Sequence, residues 1–149
     1  MLIRRDRAMT AITIMLDIAF HAAGRETVSA GDLAERLALA RRGMEPLLQT
    51  LSRAGLLDSV RGPRGGYRLG RPRREIRLSE IVAIANADDT PAVDGPGGRL
   101  QTAVVDQLWS ELEDAARVAL GTQTLDDLIR RAVAAGLKRP SSEPISFAI

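Results

Sequence analysis

Apolar residues return every three or four positions in six stretches of the chain, and this period predicts six helices. The first covers about 5–23, with Ile12, Met15/Leu16 and Ala19/Phe20 on one face and Gly24 as its stop. The second, about 30–37, follows Ser29, which stands three residues before Asp32 as an N-cap before an acid. The third, about 42–54, puts Met44, Leu47, Leu48 and Leu51 on its buried face and stops at Gly55. A fourth, about 80–87, is capped by Ser79. Between the third and fourth the pattern changes. "LLDSV" reads as a strand, "RGPRGG" as a turn and "YRL" as a returning strand. The short "ETVS" before the second helix is a further strand candidate.

The longest periodic segment comes later. Leu100, Val104, Leu108, Leu112, Ala116 and Leu120 recur every four residues, and Val105 and Trp109 widen the stripe. This predicts one helix of about twenty residues with more apolar surface than a single short neighbour covers. Thr124 and Asp127 form a capping box for a last helix, about 125–135, closed by Gly136. "DDTPAVDGPGG" precedes the long helix and has the composition of a linker.

The order helix, turn, helix, strand, turn, strand is that of a winged helix-turn-helix. The predicted fold is therefore mainly α with a small β-hairpin wing, joined to a long C-terminal dimerisation helix. The expected divisions are a winged helix-turn-helix domain over 1–87 and a linker over 88–99. The long and final helices follow over 100–136, with a loose tail over 137–149.

Composition narrows the function. Aromatics are 3% of the chain, so the core is aliphatic. There is no cysteine, which removes disulfides, thiolate metal sites and cysteine nucleophiles together. The basic, then apolar N-terminus resembles a signal peptide at first sight. Asp17 interrupts its apolar run, so it reads as an amphipathic helix, and the expected location is cytoplasmic with no membrane span. The net charge of +2 hides an asymmetry. Residues 1–78 carry fifteen arginines, no lysine and eight acids; residues 79–149 carry six basic residues and eleven acids. Guanidinium groups pair with phosphates and guanine edges in a way lysine does not copy. The basic half thus points to a nucleic-acid face.

On that face the wing turn presents Arg61 and Arg64. Glycines allow a positive φ and a close approach, and Pro63 stiffens the turn. Such a finger suits a minor groove, whose narrow stretches attract arginine. The alternative is an ordinary hairpin with solvated arginines.

"AERLALARRGMEPLLQTLSRAGLLDSVRGPRGGYRLGRP" resembles the core of the Rrf2 (BadM) family of winged-helix transcription regulators. The likeness extends to "LIRRDRAMTAITIMLDIA", "LSEIVAIANA" and "LWSELEDAARVAL…TLDDLI", so it covers most of 1–136. The resemblance implies a homodimer, locked by the long helix, on double-stranded DNA with a partly palindromic operator. The third helix would lie in the major groove and the wing in the flanking minor groove. Carried over residue by residue, the DNA-binding set is Ser29, Arg41, Arg42, Glu45, Arg61, Gly62, Pro63, Arg64, Gly65, Gly66 and Tyr67. Arg42 is the candidate for guanine and Glu45 for a cytosine amino group, although an acid at a helix start is also favoured by the dipole. Tyr67 reads as a packing residue at the wing base. Pro46 departs from the family pattern and places the helix start no earlier than about Arg42. The dimer interface is assigned to Leu100, Val104, Leu108, Trp109 and Leu112.

The main departure concerns the cofactor. Cluster-binding members of the family place three cysteines between the fourth and the long helix; here the stretch is "NADDTPAVDGPGGRLQTAVVDQ". Asp88, Asp89, Asp94 and Asp106 are poor iron–sulphur ligands, and the single histidine, His21, lies on the first helix. No cofactor and no metal are expected, and an effector, whether small molecule or protein, stays unassigned. The acids lack the spacing of a calcium loop, and the glycine turn lacks the helix with Lys-Ser/Thr of a Walker motif. No catalytic constellation emerges, so an enzyme is not expected. The competing reading is a dimeric winged-helix module that binds protein, which requires an exposed apolar patch on the face of the third helix and wing.

Overall fold

A computed structural model describes residues 5–22, 26–87 and 97–138. Six α-helices and one two-stranded antiparallel sheet form it: α1 (Arg5–His21), α2 (Ala30–Leu37), α3 (Arg41–Arg53), β1 (Leu57–Val60), β2 (Gly66–Leu69), α4 (Leu78–Asn86), α5 (Asp106–Gly121) and α6 (Leu125–Ala134). A 3-10 turn at Arg73–Glu75 precedes α4, and a π-helical turn at Gln101–Val105 leads into α5. The predicted stop at Gly24, most of the acidic linker and nearly all of the tail lie outside the described residues.

The local rules operate as expected in most places. The Ser29 hydroxyl accepts from the Asp32 amide at 3.1 Å and starts α2. α3 ends in a Schellman motif: the Leu51 carbonyl accepts from Leu56, and that of Ser52 from Gly55, whose φ is +79°. That turn buries Leu56 and launches β1 directly. Thr124 and Asp127 close the predicted capping box on α6.

Two starts differ from the expectation. α3 begins at Arg41, so Pro46 sits in its second turn, and the Arg42 carbonyl loses its usual donor. The exposed first turn tolerates this, with Gly43 donating to the Ala40 carbonyl at 3.0 Å. Ser79 is not the cap of α4. Arg77 holds that position, pairs in an isolated bridge with Thr124, and the Leu78 amide donates to Gln123 at 3.0 Å. Backbone pairing across 45 positions of sequence thus replaces a local cap.

One core joins these elements. Ile14 and Ile18 of α1, Leu33 of α2, Leu48 of α3, Ile81 of α4 and Leu125 of α6 are fully enclosed. Burying one such side chain contributes about 1.5–3 kcal/mol. The final helix therefore returns to the winged-helix body, held also by Arg73 on Asp126 at 2.6 Å. Asp17, the polar break in α1, is buried. Its carboxylate takes two short bonds from Arg36 of α2, at 2.7 and 3.0 Å. That pairing raises the pKa of the Arg36 guanidinium. The pair fixes α2 against α1, and removing either partner leaves a poorly compensated charge.

α5 is the exception. None of its residues is buried, and only Glu113, Ala116, Leu120 and Gly121 are half-covered.

Candidate nucleic-acid interface

α3 buries Met44, Leu47, Leu48 and Leu51, and this fixes what its other face presents. Arg41, Arg42, Glu45 and Gln49 are exposed there, with both arginines in the first turn. Helix N-terminal residues are the ones that reach base edges when such a helix enters a major groove. The amide dipoles of that turn also favour a phosphate.

The wing is built to close tolerances. β1 and β2 pair from Leu57↔Leu69 to Val60↔Gly66, leaving Arg61–Gly65 as the tip. Arg61, Gly62, Pro63 and Arg64 are exposed. Of the three wing glycines only Gly62 has a positive φ, +115°. Gly65 and Gly66 are required by proximity instead. A Cβ on Gly65 would run into the carbonyl oxygens of Val60 and Gly62, and one on Gly66 would come within 2.5 Å of the Val28 carbonyl.

That second contact reveals an anchor. Val28 and Tyr67 exchange two backbone hydrogen bonds, both 2.8 Å, so "ETVS" adds a bridge to the hairpin. The Thr27 hydroxyl donates to the Arg64 carbonyl at 2.9 Å. Ser29, Gly66 and Tyr67 are thereby brought together at the wing base, where Tyr67 is half-buried against the core. Thr27 and Val28 were missed as wing residues. Their β-branched character was the available signal, but nothing local says which strand they join. Arg41, Arg42 and Glu45 stand on α3, with no hydrogen bond to the wing among the described residues.

The arginines divide into two sets. Arg71 is held by Glu80 at 2.7 and 2.9 Å, Arg73 by Asp126 and Arg68 by Asp58. The bond from Arg71 holds the Glu80 carboxyl below its usual range, and bonds from Thr124 do the same for Asp127. The basic run at 71–74 is thus largely structural. By contrast, Arg41, Arg42, Arg61 and Arg64 have no acidic partner among the described residues. These four unneutralised guanidinium groups, at the start of α3 and on the wing tip, form a cationic set fitted to phosphates and base edges. Arg53 at the far end of α3 and Arg74 before α4 also have no acidic partner among the described residues.

The assigned dimer residues are all exposed: Leu100 82%, Val104 59%, Leu108 53%, Trp109 48% and Leu112 52%. The π turn places Gln101 beside Asp106, with Nε2 donating to Oδ1 at 2.7 Å. It shifts the register of a stripe that the sequence presents as uniform.

Comparison with known proteins fits this geometry. The sequence profile of Rrf2, described as an iron-dependent transcriptional regulator, matches residues 5–131. The HTH-type transcriptional regulator IscR of Cereibacter sphaeroides is 35% identical over 127 residues, covering 80% of this chain and 82% of that protein. A putative HTH-type transcriptional regulator, ORF2, of Azotobacter vinelandii is 34% identical over 81% of this chain and 75% of its own. Among solved structures, T. potens IscR superposes with a TM-score of 0.71 at 27% identity, covering 93% of this chain and 94% of its own. CymR of B. subtilis, the global cysteine regulator, gives 0.68 at 27% identity over 88% and 98%.

The iron dependence in the family description does not extend to an iron–sulphur cluster here. Clusters are held by thiolates, sometimes with imidazole, and this chain has no cysteine and one histidine. That histidine, His21, has its Nδ1 2.9 Å from the Asp17 carbonyl oxygen on α1. No group of three His, Cys, Asp or Glu among the described residues is arranged to hold a metal ion. No helix among them is long and apolar enough to cross a membrane.

Proposed function

The chain belongs to the Rrf2 family of DNA-binding transcriptional regulators, and from that premise we propose that it is a cluster-free homodimeric repressor of a partly palindromic operator. It acts in the cytoplasm, where that DNA lies. In this reading α3 enters the major groove, Arg42 reads guanine O6/N7 and Glu45 accepts from a cytosine amino group. The wing lays Arg61 and Arg64 in the adjoining minor groove. Ser29 and the neighbouring amides of α2 meet a phosphate. The observation that supports this most is the division of the arginines: the four at the start of α3 and on the wing tip have no acidic partner among the described residues, whereas Arg71 and Arg73 are neutralised.

The dimer rests on the exposed stripe. Five large apolar residues along α5 and the segment leading into it make a patch of the kind that marks an interaction site. A two-fold pairing of such helices covers each with the other and sets the half-site spacing. The protein-interaction reading requires an apolar surface on α3 and the wing. Arg41, Arg42, Glu45, Gln49, Arg61 and Arg64 are exposed there, with Gly43, Pro46, Gly62 and Pro63 between them, and no large hydrophobic side chain of α3 or the wing is exposed.

Selection of bound sequences from random duplex DNA tests the proposal. A two-fold motif with fixed spacing is the expected result. Recovery of sequences without any shared motif overturns it.

A further inference from the structure

A cavity of about 380 Å³ opens between α4 and α5, in the same range as small-molecule sites. Val82, Ala83 and Leu120 give it aliphatic walls, and Ser79, Asn86 and Glu113 supply polar edges. Asn86 is the unusual member. It closes α4, is only 2% exposed, and its Oδ1 accepts no hydrogen bond among the described residues. Buried acceptors are nearly always satisfied, and Oδ1 is itself closed off from the cavity, so a donor from outside the chain reaches it once the Asn86 side chain turns toward the cavity.

The charges around the cavity are already engaged. Glu80 is bound to Arg71, Arg117 to Asp114 at 2.8 Å, and Glu113 also has a partner. A charged ligand would have to break these pairs. A neutral one need only fill the aliphatic walls and donate one N–H or O–H.

The position links two working parts. α4 packs on α3, the proposed recognition helix, and α5 carries the proposed dimer stripe. A molecule wedged between them changes the angle at which each α3 is held relative to the two-fold axis. Such a ligand shifts operator affinity by its differential affinity for the two arrangements.

We propose that the α4–α5 cavity is an effector site for a small neutral molecule with an apolar body and one hydrogen-bond donor directed at Asn86 Oδ1. The regulatory half of this proposal rests on the operator reading above; the binding half does not.

The test uses the full ¹⁵N-labelled chain and two probes of similar shape. Benzamide has N–H donors; methyl benzoate has none. In a two-dimensional NMR titration, benzamide is expected to give saturable shifts centred on Ser79, Ala83, Asn86 and Leu120. Methyl benzoate should bind about two- to tenfold more weakly, the worth of one hydrogen bond. Asn86→Leu should make the two probes equal. Ala83→Trp, at an exposed rim position, should abolish both while circular dichroism stays unchanged. Bound benzamide should also change operator affinity. Absence of saturable shifts at these residues overturns the site, as do shifts that survive Ala83→Trp. Binding without a change in operator affinity overturns the effector role. A chain that binds benzamide but no DNA overturns the operator reading and leaves the site standing.

Discussion

In α3, Met44, Leu47, Leu48 and Leu51 lie at helical spacing and are 0–5% exposed. In α5 and the turn before it, Leu100, Val104, Leu108 and Leu112 lie at equally regular spacing and are 52–82% exposed. Both stripes carry the same instruction, to face something apolar. α3 obeys it within its own chain, because α2, α4 and β1 pack against it. α5 meets α4 toward its C-terminal end, where Glu113, Arg117 and Leu120 line the cavity between them and Gly121 lies against Ser79, and it leaves its main stripe without cover. An amphipathic pattern therefore states that a face is to be buried and is silent on which molecule buries it. In this protein the first stripe builds the fold, and the second supports the proposed assembly.

Substitutions in the two stripes should separate these roles. Leu108→Asp has the largest expected effect on function. The chain should stay folded and become monomeric, and operator affinity should fall by about 10³-fold or more, toward non-specific binding. Sedimentation velocity and a binding titration check it. A wild type that sediments as a 16.1 kDa monomer and still binds a palindrome with full affinity breaks the comparison. Leu48→Ala acts on the other side. It should cost about 2–5 kcal/mol of folding stability through the cavity it leaves, read by urea denaturation, with the oligomeric state unchanged for the folded fraction.

The two sets of arginines sharpen the same contrast between surface and scaffold. Arg42→Ala or Arg61→Ala should cost about 1–3 kcal/mol of operator binding if each makes base-edge contacts, and should relax preference at the position it reads. Arg71→Ala should leave the salt slope of binding unchanged, since its charge is committed to Glu80. Equal losses from both sets would remove the distinction.

The smallest effect is on acid stability. Glu80 and Asp127 have folded pKa values held below their ordinary 4.5 and 3.8. A depressed carboxylate stabilises the fold at pH values above its unfolded pKa, and that contribution is lost as pH falls through the folded value. Stability should therefore begin to decline below about pH 4.5, and Glu80→Gln should flatten the upper part of that decline. Both groups are partly open to solvent, so the loss is modest. Thermal melts at a series of pH values provide the measurement.

Much of the fold was legible because its signals are local. Ser29 before Asp32, Gly55 after α3, the Thr124–Asp127 box and the glycine turn of the wing each act within a few residues. Within the candidate interface, the exposed end of α3 followed from the burial of its other face. The misreadings came from distant partners. Ser79 looked like a cap, but α4 starts where Gln123 and Thr124 reach it. Asp17 looked like an interruption, but Arg36, nineteen positions away, makes it a tie between helices.

The sequence by itself determined where helices and hairpin form and which faces are apolar. It also excluded a thiolate-bound cluster, because ligand chemistry depends on residue type before position. Only the tertiary structure decided that α6 returns to the core, that Val28 extends the wing, and that Arg71 and Arg73 are spent internally. It alone left the α5 stripe uncovered within one chain. The reason is that periodicity and capping are fixed over one or two turns of chain. Ion pairs, bridges and the burial of a face depend on which distant segments the fold brings alongside.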